Sequence, residues 1–89
     1  MTTYLVESYV PGLDRELAAV LDARMGTATA TRPGGHSVLW CGSLAIVAEE
    51  TYASILSSDG IADVLTACHR AGITCDHVVE VYAHLDPGS

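Results

Sequence analysis

The chain has no lysine and no phenylalanine, and four arginines face 11 acids for a net charge of −7. So little positive charge excludes the basic footprint that a phosphate backbone requires, and nucleic acid is not an expected partner. The same deficit removes the attraction that anionic membranes exert on basic segments. Long apolar runs are also missing: no stretch approaches the ~20 residues of a membrane-spanning helix. The opening MTTYLVESYVPG has no basic segment, places Glu7 inside its apolar run and breaks at Pro11-Gly12, so no targeting signal is read there. Cysteine is sparse: Cys41, Cys68 and Cys75 form an odd set without a C-x-x-C pair. That argues against a disulfide framework or a structural zinc site and leaves reduced thiols in a cytoplasmic protein as the expectation. No nucleophile elbow is present, and RPGGHS lacks the Lys-Ser/Thr that completes a phosphate-binding loop.

What the chain does have is apolar surface. It is 49% hydrophobic and only 17% charged, with a mean hydropathy of +0.32 over 89 residues. A domain of this length buries only about two thirds of its unfolded surface. Small scaffolds commonly gain the rest from a partner. A homodimer is the expected state, with ordinary alanine-rich composition as the competing explanation.

Alternating apolar residues in TYLVESYV predict a first strand, ended by Pro11-Gly12. Helical spacing of Leu13, Leu17, Val20 and Leu21 predicts a helix over 13–26, with Asp14 and Glu16 at its positive end and Gly26 as a stop. TATATRPGGHS reads as a loop. VLWCGSLAIV and ETYASIL predict a hairpin around a short AEE turn, with Gly42 marking a bulge or bend. SSDGIADVLTACHRAG predicts a second helix, capped by Ser58 or Asp59, apolar along Ile61, Val64, Leu65 and Cys68, and closed by Gly72. ITCDHVVEVYAHL leads into a last strand, and 86–89 form a frayed tail after a single domain over 1–85. The order β-α-β-β-α-β is the α+β ferredoxin-like pattern. Right-handed crossovers give an antiparallel sheet in the order 4-1-3-2 with both helices on one face. The other face is left open, to be polar, to bind a ligand, or to pack on the sheet of a second copy.

The last strand offers two parities. Placing Val79 and Val81 under the helices sends Glu80, Tyr82 and His84 to the open face, beside Leu5, Glu7 and Tyr9. The most centred register then sets Glu7 opposite Glu80, Leu5 opposite Tyr82 and Thr3 opposite His84. Two carboxylates about 5 Å apart destabilise a strand pair unless a shared proton, an arginine or a bound cation relieves them. Arg32 is the one arginine not placed on a helix. A divalent cation held by Glu7, Glu80 and His84, with His36 as a further ligand, is one resolution; a solvated edge strand is the other. Nitrogen and oxygen donors of this kind suit nickel, zinc, copper or manganese, whereas Cys41 or Cys75 as a ligand shifts the preference to zinc or copper(I). His69 near a helix end and His77 ahead of the strand read as structural or exposed. Trp40 and Tyr52 read as core-filling, or as lining a cavity between sheets.

Three segments carry a family pattern: YLVESYVPG, HSVLWCGSLAIVAEETYASIL and ACHRAGITCDHVVEV. The matching residues are Tyr4, Val6, Glu7 and Pro11; Val38, Trp40 and Ser43; and Arg70, Ala71, Gly72, Asp76, Val78, Glu80 and Val81. In these the chain resembles a family of small bacterial ferredoxin-like domains of unknown function that includes a nickel-binding protein. The resemblance implies a dimer through open sheet faces and nickel or a similar divalent ion as ligand. One departure is the absence of a cysteine from ETYASIL, where many relatives carry one. The resulting expectation is a binding protein for a divalent metal (nickel or zinc) or a small ligand. The alternatives are a cofactor-free dimeric α+β barrel enzyme, oxygenase- or isomerase-like, with Glu7, Tyr82 and His84 as acid/base groups, and a non-catalytic interaction module.

Overall fold

Short alternating runs broken by Pro11-Gly12, Glu50 and Gly72 give seven elements in the computed structural model, which describes residues 1–30 and 38–82. In chain order these are β1 (Thr2–Tyr9), α1 (Arg15–Ala28), β2 (Val38–Ile46), a 3-10 turn (Val47–Glu49), β3 (Thr51–Ser58), α2 (Ile61–Ala71) and β4 (His77–Val81). The strands form one antiparallel sheet in the order β2-β3-β1-β4, the expected order read from the opposite edge. The frayed tail expected at 86–89 lies outside the described residues.

Val6, Tyr52 and Leu56 project from the sheet into one core with Leu21 and Met25 of α1 and Val64 and Cys68 of α2. Asp14 caps α1, its Oδ1 accepting from Leu17 N at 2.8 Å, so the first turn starts with an orphan donor satisfied. The helix does not stop at Gly26. It continues to Ala28, where Thr29 Oγ1 donates to Met25 O at 2.8 Å. Met25 is fully buried, and its packing holds the last turn through the glycine. Helix α2 starts at Gly60 without a side-chain cap, so neither Ser58 nor Asp59 serves as one; Ser58 Oγ instead accepts from Gly60 N at 3.4 Å and donates to Asp63 Oδ2 at 3.5 Å, bracing the turn ahead of the helix. Its buried stripe is Val64, Ala67, Cys68 and Ala71, while Ile61 and Leu65 face outward at 46% and 43% exposure. Gly72 closes α2 in the left-handed region (φ 71°).

The pairing of β2 with β3 slips by one residue at Cys41, between Trp40↔Leu56 and Gly42↔Ile55. Gly42 sits at φ 144°, a conformation that favours glycine. Because side chains alternate with period two, one inserted residue reverses every later side chain. Without the bulge, Leu44 and Ile46 would share the helix face with Trp40. With it, Ser43 and Ala45 turn inward, and Leu44 and Ile46 turn to the open face.

Candidate functional site: the open sheet face and its polar support

Opposed residues share a face, so the pairings define the open side of the sheet row by row. Tyr9, Thr51 and Ile46 form one row; His77, Glu7, Ala53 and Leu44 the next. Val79, Leu5, Ile55 and Gly42 follow, then Val81, Thr3, Ser57 and Leu39. Polar contact on this face is local: Thr3 Oγ1 and Ser57 Oγ are 3.0 Å apart, and Cys41 Sγ in the bulge lies 3.7 Å from Ser57 Oγ. Leu39, Leu44 and Ile46 are exposed at 59%, 59% and 42%.

The parity of β4 is the reverse of the sequence expectation. Glu80 pairs with Tyr4, and Glu7 pairs with His77. Glu80 therefore projects on the helix-bearing side of the sheet, exposed at its edge, and does not meet Glu7. The cause lies just before the strand. Asp76 N donates to Glu7 O at 3.0 Å, and Asp76 Oδ2 accepts from Tyr9 N at 2.6 Å. These two bonds fix His77 opposite Glu7. The helices pack mainly over β2 and β3, so inward parity on β4 calls only for Val78, which packs against the core edge.

Glu7 instead meets an imidazole: His77 Nδ1 and Glu7 Oε1 are 3.8 Å apart, both well exposed. His36 and His84 lie outside the described residues. Among the described residues no group of three or more His, Cys, Asp or Glu side chains is placed to hold a metal ion. Tyr82, just beyond β4, is 86% exposed. Trp40 and Tyr52 face the helices, and Tyr52 is fully buried as core filling.

Beneath α1 the structure builds a polar cluster that periodicity did not reveal. Asp22 Oδ1 accepts from Ser43 Oγ and from Tyr52 OH, each at 2.6 Å. The bulge makes this possible by turning Ser43 inward. Among the described residues, three buried polar atoms, Ser8 Oγ, Ser54 Oγ and Trp40 Nε1, have no hydrogen-bond partner. The available signal was an acid one residue past Leu21 on the inward side of α1, between Ala18 and Met25 at helical spacing. Glu50 is a second such anchor. In a left-handed conformation (φ 50°), it accepts from Gly12 N at 2.5 Å and Tyr9 OH at 3.3 Å, tying the hairpin turn to the end of β1.

Burial pushes the Tyr52 phenol up to about 12, and its bond to the Asp22 carboxylate pushes the same way; Ser54 and Ser43 pull weakly in the other direction. Ser54 lies close enough to bias the phenol yet outside hydrogen-bond geometry. The unfolded chain releases this proton at the ordinary tyrosine value of 10.0, whereas the folded chain holds it to about 12. The associated stability is therefore complete below pH ~10 and is lost as pH rises through ~12. Two pH units correspond to about 2–3 kcal/mol. Urea unfolding between pH 9 and 12 should show this loss, and Tyr52→Phe should flatten it. An equally steep loss in Tyr52→Phe would assign the effect elsewhere.

Burial also raises the Cys68 thiol, with the neighbouring Cys75 thiol adding to the shift. Cys41 is the exposed thiol. No helix among the described residues is long and apolar enough to cross a membrane. Compared with protein-family models, with curated proteins and with solved structures, the chain matches none.

Proposed function

We propose that this protein is a homodimer formed through the open faces of two sheets, and that it serves as a binding domain for a divalent cation or small ligand at that face. The observation that carries the reading is the bulge at Cys41. It displays Leu44 and Ile46 to the open face while turning the half-buried Ser43 and the exposed Ala45 to the helix side, the reverse of what burial favours in a monomer. Covering the face removes that cost.

Charge supports a second copy as the cover. Two chains of net charge −7 can meet only where charge is low. The strand positions of this face carry a single acid, Glu7, beside the imidazole of His77. Gly42 leaves the β2 end of one row bare between Leu39 and Leu44, and nothing lies within 4 Å of the position a Cβ would take. Knobs flanking a bare row suit a self-complementary contact.

The motif resemblance and the Glu7–His77 pair support nickel or zinc as the ion. Imidazole nitrogen with carboxylate oxygen suits such ions. The described part of one chain supplies two donors and no third, so it does not complete a four-ligand site. A homodimer presents the pair twice.

Sedimentation equilibrium at micromolar concentration should give the dimer mass; a monomer throughout would overturn the assembly. Calorimetry with nickel or zinc should show binding that Glu7→Gln and His77→Ala each weaken by at least about tenfold. Absence of heat at millimolar metal would end the cation reading and leave the dimer standing.

A further inference from the structure

The helix layer carries a feature unrelated to the sheet face. A groove of about 640 Å³ runs between α1 and α2. Val20, Ala23 and Ala28 of α1 and Ala71 of α2 supply its apolar walls, and Arg24 and Arg70 supply its charge. No acid lines it. That is unexpected in a chain with 11 acids and four arginines: half of its permanent cations converge on one groove. Among the described residues the only ion pair is His77 with Glu7, so neither arginine has a carboxylate partner there.

Both arginines line the groove, and Arg24 reaches the C-terminal end of α2. Arg24 Nη1 lies 3.9 Å from where a Cβ on Gly72 would stand, two residues along the chain from Arg70. Capping of α2 does not account for Arg24. The carbonyls of His69 and Cys68 already accept from Gly72 N (3.1 Å) and Ile73 N (3.0 Å). Thr27 Oγ1 is likewise engaged, donating to Ala23 O at 3.1 Å. Two like charges lining one groove repel, and an anion bound in it offsets that repulsion. A volume of this order and mainly apolar walls with a few charged groups are the attributes of small-molecule sites.

We propose that the groove between α1 and α2 binds a small amphipathic anion, a carboxylate or phosphate ester on an apolar body. Arg24 and Arg70 take the charged group; Val20, Ala23 and Ala28 take the body. The ligand is a free molecule and not a bilayer headgroup, because a chain of net charge −7 is repelled by an anionic surface.

The test is an NMR titration of the intact protein with octyl phosphate, octanoate, octanol and inorganic phosphate. Octyl phosphate and octanoate should shift amides of α1 from Val20 to Ala28 and those of Arg70 and Ala71. Octanol and inorganic phosphate should each bind at least about tenfold more weakly, since each lacks one half of the recognition. The double variant Arg24→Gln/Arg70→Gln should lose at least about tenfold in affinity for the anions with its thermal midpoint kept. Ala23→Leu, which fills the groove and leaves both charges, should block them independently. Equal binding of octanol would reduce the groove to a greasy cleft, and equal binding of inorganic phosphate would reduce the arginines to a counter-ion site. Either result overturns the proposal. So would the absence of shifts at millimolar ligand, shifts confined to the sheet, or cosedimentation with anionic lipid vesicles without binding of the free anions.

Discussion

Asp22→Ala lowers the stability of the fold by about 3 kcal/mol, the largest effect expected from any single polar side chain here. Two charge-assisted hydrogen bonds, each worth about 1.5–3 kcal/mol, end on one Asp22 oxygen. Truncation removes both and strands the Tyr52 hydroxyl where water does not reach, since Tyr52 is fully buried. In a domain of this size each 1 kcal/mol moves the melting midpoint by about 4–8 °C, so a fall of about 12–24 °C is expected. Asp22→Asn keeps an acceptor oxygen in place and should cost only about half as much. A double-mutant cycle with Tyr52→Phe should return a coupling of at least about 1 kcal/mol, because the two groups touch. If Asp22→Ala melts within a degree or two of the parent, the cluster contributes nothing and the anchoring role assigned to it is wrong.

The second large effect concerns assembly. If the proposed dimer forms through the open face, Leu44→Asp should convert it to a monomer, weakening association by at least about 100-fold, or ~2.7 kcal/mol. Leu44 is 59% exposed within one chain, so the substitution leaves the monomer core untouched. Its penalty appears only when a second sheet covers the new carboxylate and strips its water. Leu65→Asp on the outer side of α2, at 43% exposure, is the matched control. It adds the same charge to an equally apolar position on the other layer and should leave the dimer intact. Should both variants dissociate together, association depends on net charge and not on the sheet face. Should Leu44→Asp remain dimeric, the interface lies elsewhere.

The order of elements was legible because its signals are local. Pro11-Gly12 ends β1, and Gly72 adopts the one conformation that closes α2, whatever lies around them. The strand order follows from element order through the handedness of crossovers. Even the bulge left a trace in Gly42, though not its consequence. Alternation along β1 places Glu7 on the open face, whereas nothing in the order of residues places His77, just ahead of the valine run, opposite Glu7.

The phase of each strand and the companions of each polar group were decided by tertiary structure alone. A run such as HVVEV has period two in either parity, and Val79 with Val81 looks as fit for a core as Val78. Which set turns inward is fixed by the strand it pairs with, here through the bonds of Asp76 to Glu7 and Tyr9. In the same way LWCGSLAI cannot announce whether Leu44 shares a face with Trp40, because one looped-out residue reverses the answer. Asp22 finds Ser43 and Tyr52 at 21 and 30 residues' separation, a meeting that no spacing along one helix encodes. Local signals along the chain set the elements, their order and the excess of apolar residues. Only the folded sheet decided which residues face which way, because facing is a relation between strands and not a property of one.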